Sequence, residues 1–356
     1  MAIGVRIKEA RRMAGLSQEK LGAQAKVTKQ AISKYERDKA TPSSRVLLRL
    51  AEALAVPIDF FFRTPTVGAV HALHYRRHAR LAAKERKSIE ASAREWLERY
   101  LELEAFLPSE QRTAFSVPPE VDRRVRSVED TERLAEELRN AWRLGLNPID
   151  NLMEVLEQRG LKIFLLRTSR HFDGLTLVAD GEFHVIVVRQ EISGDRQRLN
   201  LAHELGHLVM ELDGCVDGER AAYRFAGAFV VPRAQAILEL GEHRKSISLT
   251  ELGALKSRYG LSMQAWIYRA RDLNILSESA ATRLFREFRR KGWREREPGA
   301  QLAPEKPTRM ARLAAKAVVE EAVSESRAAE LLGEHLEEFR KESHQLGEAS
   351  EVGACS

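Results

Sequence analysis

The chain has 356 residues, of which 44% are hydrophobic, and this length predicts two or three domains with their own cores. It has no apolar run long enough to span a membrane and no charged-then-apolar signal pattern at its N-terminus, so we expect a cytoplasmic protein. Two cysteines, Cys215 and Cys355, are too few for a disulfide framework, and we expect Cys215 to be a free thiol.

Positive charge is concentrated in the first segment of the chain. Residues 1–63 contain 13 Lys and Arg against 6 Asp and Glu, a net charge of +7, whereas the remainder has 45 against 46, a net charge of −1. The overall charge of +6 therefore comes from this segment. A compact basic segment on an otherwise neutral chain favours a polyanionic partner such as nucleic acid.

The first segment contains turn and cap signals that divide it into five short helices. The predicted helices are Ile3–Met13, a second one capped by Ser17, Lys29–Arg37 capped by Thr28, Pro42–Leu54 and Pro57–Phe62. The third helix turns its apolar residues inward and leaves its polar residues for solvent or a groove. The candidate DNA-contacting residues are Gln18, Thr28, Lys29, Gln30, Ser33 and Lys34.

The run LSQEKLGAQAKVTKQAISKYERDKATPS, followed by LLRLAEALAV, resembles the Cro/repressor-type (XRE) helix-turn-helix family. The resemblance implies that the third helix enters the major groove of a double-stranded DNA operator, where Gln and Lys suit adenine and guanine edges. Gln18 would face a phosphate or its neighbour Gln30. DNA-binding domains of this type pair on operators with two-fold symmetry, so a homodimer is also expected. The alternative is a protein-interaction module whose basic face is only solvated.

Residues 64–130 form a predicted linker and long helical spacer. The His- and Arg-rich run 71–80 lacks an acid or cysteine to complete a metal site, so we interpret it as a solvated basic connector. Lys84–Leu107 is predicted to be one long helix. Its apolar stripe requires a partner, either the domain that follows it in the chain or a second copy of the chain.

Residues 131–298 combine helical and strand patterns. The predicted elements are a helix over Thr131–Leu144, a helix over Asn147–Arg159, a strand over Leu161–Arg167, and a hairpin of Leu175–Ala179 and Phe183–Val188. Asp180-Gly181 favours the tight turn of that hairpin.

The stretch LNLAHELGHLVM, residues 199–210, carries the most specific chemistry. His203 and His207 are four residues apart and share one face of a helix, so both imidazoles can reach one metal ion. Glu204 can take a proton from a metal-bound water, whose pKa zinc lowers to about 7. The alternative is a solvated helix with incidental histidines, which the apolar flanking residues disfavour.

A catalytic zinc usually has three protein ligands, so one more is expected. A second helix with a core face follows from Glu219 and ends before Pro232. Glu219 stands in its first turn, where a glutamate is more often a solvated residue that favours the helix dipole. Beside H-E-x-x-H it is the best candidate for the third ligand.

Together, RLNLAHELGHLVM and ERAAYRFAGAFVVP resemble the ImmA/IrrE family of bacterial and phage metallopeptidases. The resemblance implies that His203, His207 and Glu219 hold Zn²⁺, that Glu204 is the general base, and that a small sheet lies beside the helix. Many members of that family have Asn or Asp where this chain has Tyr223, so the support that an amide or carboxylate gives a ligand must come from a phenol or from elsewhere.

The predicted fold is multidomain and mainly α. A five-helix helix-turn-helix domain (1–63) and the spacer (64–130) precede an α+β zincin-like peptidase domain with a small sheet (131–298). A linker and short helical tail (299–356) follow, with helices over Met310–Glu321 and Ser326–Leu332. A second helix-turn-helix shape after Ile247 belongs to the peptidase domain, with Ser262 as a cap.

The resemblances imply a DNA-binding transcriptional regulator with zinc-dependent endopeptidase activity, whose protein substrate is a repressor that controls phage, mobile-element or stress genes. The alternative is an antitoxin-like DNA-binding regulator whose metal site is structural or sensory, and Tyr223 favours it. A third hypothesis, a general degradative peptidase, is disfavoured by the predicted DNA-binding domain over residues 1–63.

Overall fold

The structure, a computed structural model, describes residues 3–68, 70–72, 82–168, 172–294, 296–341 and 343. As predicted, it is mainly α-helical with small sheets. The α-helices are α1 (Ile3–Met13), α2 (Gln18–Gln24), α3 (Lys29–Tyr35), α4 (Ser44–Leu54), α5 (Ala83–Ala105), α6 (Asp130–Ala141), α7 (Leu152–Gln158), α8 (Gly194–Val209), α9 (Gly218–Val230), α10 (Arg233–Leu240), α11 (Leu249–Tyr259), α12 (Met263–Asp272), α13 (Glu278–Arg290), α14 (Arg309–Val319) and α15 (Glu325–Leu332). The strands are β1 (Val70–Ala72), β2 (Arg124–Val125), β3 (Lys162–Leu166), β4 (Gly174–Ala179), β5 (Phe183–Arg189) and β6 (Glu211–Leu212). Short 3-10 helices cover Ile58–Phe62 and Ser109–Gln111.

The chain forms two compact units. The first comprises Met1–Arg112, Leu177–Val185 and Thr308–Ser356, and the second comprises Thr113–Thr176 and Ile186–Pro307. The spacer helix and the tail helices thus belong to the same unit as the N-terminal helices. The boundaries between the four segments drawn from the sequence stay predictions.

The N-terminal helices of the first unit match their predicted positions closely, with one difference in type. The fifth, Ile58–Phe62, is a 3-10 helix. Ser17 and Thr28 cap α2 and α3, since their hydroxyls accept the backbone N–H groups of Lys20 and Ala31 at 3.1 Å. The fully or nearly fully buried core contains Ile7, Ala10, Leu21, Ala25, Ile32, Leu50, Leu54, Phe60 and Phe61.

The spacer helix α5 packs against α1, α14 and α15 of its own unit, partners that the sequence analysis did not foresee. Arg6 of α1 pairs with Glu98 of α5 at 2.7 Å. Arg327 of α15 pairs with Glu102 of α5 at 2.6 Å. The apolar stripe of α5 therefore has partners inside the first unit. Most of the His- and Arg-rich run 71–80 lies outside the described residues, as does the end of the tail with Cys355.

The hairpin of β4 and β5 forms around the predicted turn, where Asp180 and Gly181 both have positive φ, +52° and +76°. In the first unit, β1 pairs antiparallel with residues 177–179 of β4. In the second unit the strand order is β4-β5-β3. Strand β6, which follows α8 directly in the chain, forms a separate parallel pair with β2.

Helix α9 is the centre of the second unit, with α8, α6 and α12 packed around it. Gly206 of α8 permits the close approach of α9, because a Cβ there would lie 2.9 Å from the Phe225 ring. Arg139 of α6 donates to the Phe229 carbonyl at 2.7 Å, near the end of α9. Burial lowers the pKa of Arg139 to about 10, so it remains charged at neutral pH.

Two segments of the second unit differ from prediction. Helix α7 begins at Leu152, five residues after the predicted start, because Asn151 is its cap and accepts the Glu154 N–H at 3.0 Å. Helix α10 follows Pro232, where the sequence analysis placed no element. Ser262 caps α12 as predicted, accepting the Ala265 N–H at 3.1 Å. None of the described helices is both long and apolar enough to cross a membrane.

Candidate functional site

Helix α8 buries the H-E-x-x-H motif completely. It begins after Ser193 and runs to Val209, and every residue from Asn200 to Val209 is buried. His203 and His207 are only 3% and 6% exposed, and their Nε2 atoms lie 3.2 Å apart. The helical spacing therefore brings both imidazoles to one point, as the sequence predicts.

Helix α9 supplies the third group at its first turn. Asp217 caps α9 by accepting the backbone N–H groups of Glu219 and Arg220 at 3.0 and 3.2 Å. This cap fixes where the helix starts. The Glu219 carboxylate then reaches across to α8, with Oε2 3.6 Å from His203 Nε2 and Oε1 3.6 Å from His207 Nε2.

The three side chains fit a zinc ion. One ligand atom from each of His203, His207 and Glu219 lies within 4.8 Å of the others. Tetrahedral zinc with bonds of about 2.1 Å requires ligand atoms about 3.4 Å apart. The two Nε2 atoms are 3.2 Å apart, and each lies 3.6 Å from one of the two Glu219 carboxylate oxygens, close to that value. Two imidazoles and one carboxylate are also the donor set of catalytic zinc sites that keep a fourth position for water.

Glu204 lies on α8 beside the first strand residues of β4. Thr176 Oγ1 donates a hydrogen bond of 2.8 Å to Glu204 Oε2, and both side chains are buried. Gly174 leaves room for this carboxylate, since a Cβ there would be 3.4 Å from Glu204 Oε1. Sequence analysis missed Thr176. Only its position in a strand next to the H-E-x-x-H helix, with a hydroxyl in an apolar run, could have indicated it.

The Tyr223 ring packs on the His203 ring, with centroids 4.1 Å apart and planes at 43°. Tyr223 lies one turn after Glu219 on α9 and is 53% exposed. An aromatic contact therefore supports the first histidine at this position. It restrains the imidazole plane by packing, where an amide or carboxylate would do so through a hydrogen bond.

Three other chemically active side chains do not join this cluster. Cys215 is an exposed free thiol in the loop before α9, as expected. His184 belongs to the part of β5 in the first unit. His243 lies between α10 and α11 and lines a separate cavity of the second unit.

The candidate DNA-contacting residues divide into two groups. Thr28, Lys29, Gln30 and Lys34 are exposed, all on α3 or at its cap. Gln18 and Ser33 are half-buried and already have partners inside the domain.

Glu36 is the partner that the sequence did not indicate. Its carboxylate accepts the Gln18 side-chain amide at 2.8 Å and two bonds from Arg11, at 2.5 and 3.0 Å. Gln18 thus bonds Glu36, and no hydrogen bond joins it to Gln30 among the described residues. Ser33 Oγ accepts from Arg37. The network fixes α1, α2 and α3 relative to each other.

Comparisons with known proteins match both regions. Residues 7–61 match a family model described as "Helix-turn-helix", and residues 156–271 match a peptidase-family model described as "IrrE N-terminal-like domain". A 60-residue stretch is 42% identical to an uncharacterized HTH-type transcriptional regulator of Sinorhizobium medicae and covers 17% of this chain and 43% of that protein. A match of 43% identity over 60 residues, 56% of the relative, is to an uncharacterized transcriptional regulator in the ATPase CF(0) region of Rhodospirillum rubrum. The matched stretch thus spans about half the length of these relatives.

Proposed function

We propose that this chain, which joins an XRE-type helix-turn-helix domain to an IrrE/ImmA-like peptidase-family domain, is a DNA-binding transcriptional regulator that hydrolyses a repressor-type protein with a zinc ion. The observation that carries the proposal is the meeting of His203, His207 and Glu219 from two helices at spacings that suit zinc. The buried Glu204 beside them supplies the base.

In the proposed reaction, water adds to the carbonyl carbon of the scissile peptide bond and the C–N bond breaks. Zinc in this site would polarise the carbonyl and lower the pKa of the water. The Glu204 carboxylate takes a proton from the water and passes it to the leaving amine, which departs as the new N-terminus. Thr176 holds the carboxylate in place through its hydrogen bond. One water is consumed for each bond broken: its oxygen ends in the new carboxyl group and one of its protons on the new amine.

The helix-turn-helix domain would deliver this activity to an operator. Four exposed polar residues on α3 suit contacts in the major groove, and Lys29 and Lys34 also suit phosphates. A protease held at an operator would meet DNA-bound repressors at high local concentration. A homodimer on a two-fold site stays part of the proposal.

A second candidate function is favoured by Tyr223. An aromatic ring on His203 is compatible with a structural or sensory metal site in an antitoxin-like DNA-binding regulator that cuts nothing. Both candidate functions involve binding DNA and metal, so metal content does not distinguish them. A measurement of peptide-bond hydrolysis does, because only the first candidate cleaves a protein.

The separating experiment compares new protein N-termini in host cells that express the wild-type chain or Glu204→Gln. The proposal predicts a small set of cleavages, enriched in DNA-binding repressors, with the wild type only. Identical sets of N-termini under several stresses would favour the second candidate.

A further inference from the structure

A cavity of about 430 Å³ in the second unit borders the candidate metal centre. Tyr223 is the shared wall, because it lines the cavity and also packs on the His203 ring. Leu199, one helical turn before His203 on α8, and Gly227, one turn after Tyr223 on α9, extend the cavity away from the histidines. A chain held at the histidines could therefore place a neighbouring side chain there.

The walls of the cavity combine apolar and aromatic side chains with polar ones, four of which are arginines. Tyr223 and Tyr268 are 53% and 48% exposed. The Tyr268 ring is held in place by Phe285, with ring centroids 4.4 Å apart, and by the Arg271 guanidinium, 4.9 Å from its centroid. Gly227 adds no side chain, and a Cβ there would meet only Arg269 Cδ, at 3.4 Å. The exposed parts of the two rings, together with Leu199 and the side-chain-free Gly227, suit a large apolar side chain, above all an aromatic one.

The rim of the cavity carries one positive charge that is not neutralised. Arg224 pairs with Glu129 at 2.9 Å, and Arg271 pairs with Asp272 at 3.0 Å. Arg220, by contrast, is exposed, and its guanidinium has no hydrogen bond or ion pair with any residue that the structure describes. A carboxylate that approaches the cavity would therefore find Arg220 available.

We infer that the cavity is a substrate subsite for a large apolar, preferably aromatic, side chain near the scissile bond, and that Arg220 pairs with an acidic residue of the same polypeptide. The inference rests on the proposed peptidase function and names the substrate class of that site. The cavity and Arg220 together would favour substrate segments in which a large apolar residue lies near an acidic residue.

The test uses the full-length, zinc-loaded chain and a library of peptides prepared from host-cell proteins, with blocked amines so that new N-termini report cleavage. The wild type, Tyr268→Ala, Arg220→Glu and the matched control Arg290→Glu, at an exposed position of α13, are compared. Wild type and control should enrich a large apolar residue at one fixed position and an acid at another. Tyr268→Ala should lower the apolar preference at least about tenfold, and Arg220→Glu should replace the acid preference by a basic one.

Zinc content is measured for each variant, because Arg220 is next to Glu219 in the chain. Where a variant loses zinc or fails to fold, Tyr268→Leu or Arg220→Gln takes its place. Cleavage with unchanged preferences in the cavity variants would overturn the subsite while the peptidase function stands. If the wild type cleaves no more peptides than Glu204→Gln does, both the subsite and the proposed peptidase function are overturned.

Discussion

Replacing Thr176 by valine should slow peptide hydrolysis and leave zinc in place. The substitution keeps the shape of the side chain but removes the hydroxyl that donates to Glu204 Oε2 at 2.8 Å. Thr176 is only 2% exposed, so bulk solvent has little access to the position of the lost hydroxyl. The Glu204 carboxylate then has more freedom to leave the position from which, in the proposed mechanism, it would act on water.

The magnitude follows from the kind of bond. A hydrogen bond to a charged group contributes about 1.5–3 kcal/mol, and each 1.36 kcal/mol corresponds to about tenfold in rate. We therefore expect kcat/KM for a peptide chosen from wild-type cleavage sites to fall by about 10- to 150-fold in Thr176→Val. Thr176→Ser is the matched control, because it keeps the hydroxyl and should stay within about threefold of the wild type.

Two further measurements make the result decisive. Zinc per chain should equal the wild-type value in both variants, because the Thr176 hydroxyl bonds Glu204, which is not one of the candidate ligands. Unfolding by urea shows whether either variant is folded at the assay temperature. Wild-type kcat/KM in folded Thr176→Val, or an equal loss in Thr176→Ser, would refute the positioning role of the hydroxyl.

Three further predictions concern the metal, pH and DNA. Glu219→Gln should weaken zinc binding at least about tenfold in a chelator competition, whereas Glu204→Gln should bind zinc as the wild type does; equal affinity in all three proteins would exclude Glu219 as a ligand. Two backbone N–H groups of the preceding turn donate to Asp130 and hold the pKa of its carboxyl below the usual value, so its stabilisation is present above about pH 3.9 and is lost as the pH falls further. Asp130→Ala should lower the free energy of unfolding by about 1 kcal/mol at pH 7, the usual net contribution of a hydrogen bond, and a difference that persists undiminished toward pH 2 would contradict this. Gln30→Ala with Ser33→Ala should remove sequence-specific protection of operator DNA and leave the thermal unfolding curve in place; an unchanged footprint would refute base reading by α3.

Local signals predicted the elements that hold the candidate site. The apolar flanks of H-E-x-x-H require a buried helix, and the run that ends before Pro232 predicts α9, so two short-range patterns set the two helices that bring the histidines and Glu219 together. The caps at Ser17, Thr28 and Ser262 were predictable for the same reason, since each depends on atoms three residues away.

What sequence could not predict depends on contacts between distant residues. Thr176 donates a hydrogen bond to Glu204, 28 residues away in the chain. Glu36 accepts hydrogen bonds from Gln18 and Arg11, which are 18 and 25 residues away. Their spacing in the chain carries no periodic signal. The partners of α5 likewise include α15, which follows it by more than two hundred residues and pairs through Arg327.

The most direct test of the central claim is zinc-dependent cleavage by the purified full-length chain. The metal-free wild type and Glu204→Gln are titrated with zinc, and the rate of peptide cleavage is measured against zinc bound per chain. The proposed mechanism predicts that the wild-type rate rises until one zinc is bound, and that Glu204→Gln binds the same zinc but cuts at least about 100-fold more slowly. Equal rates in the two proteins, or a wild-type rate that does not depend on zinc, would contradict it.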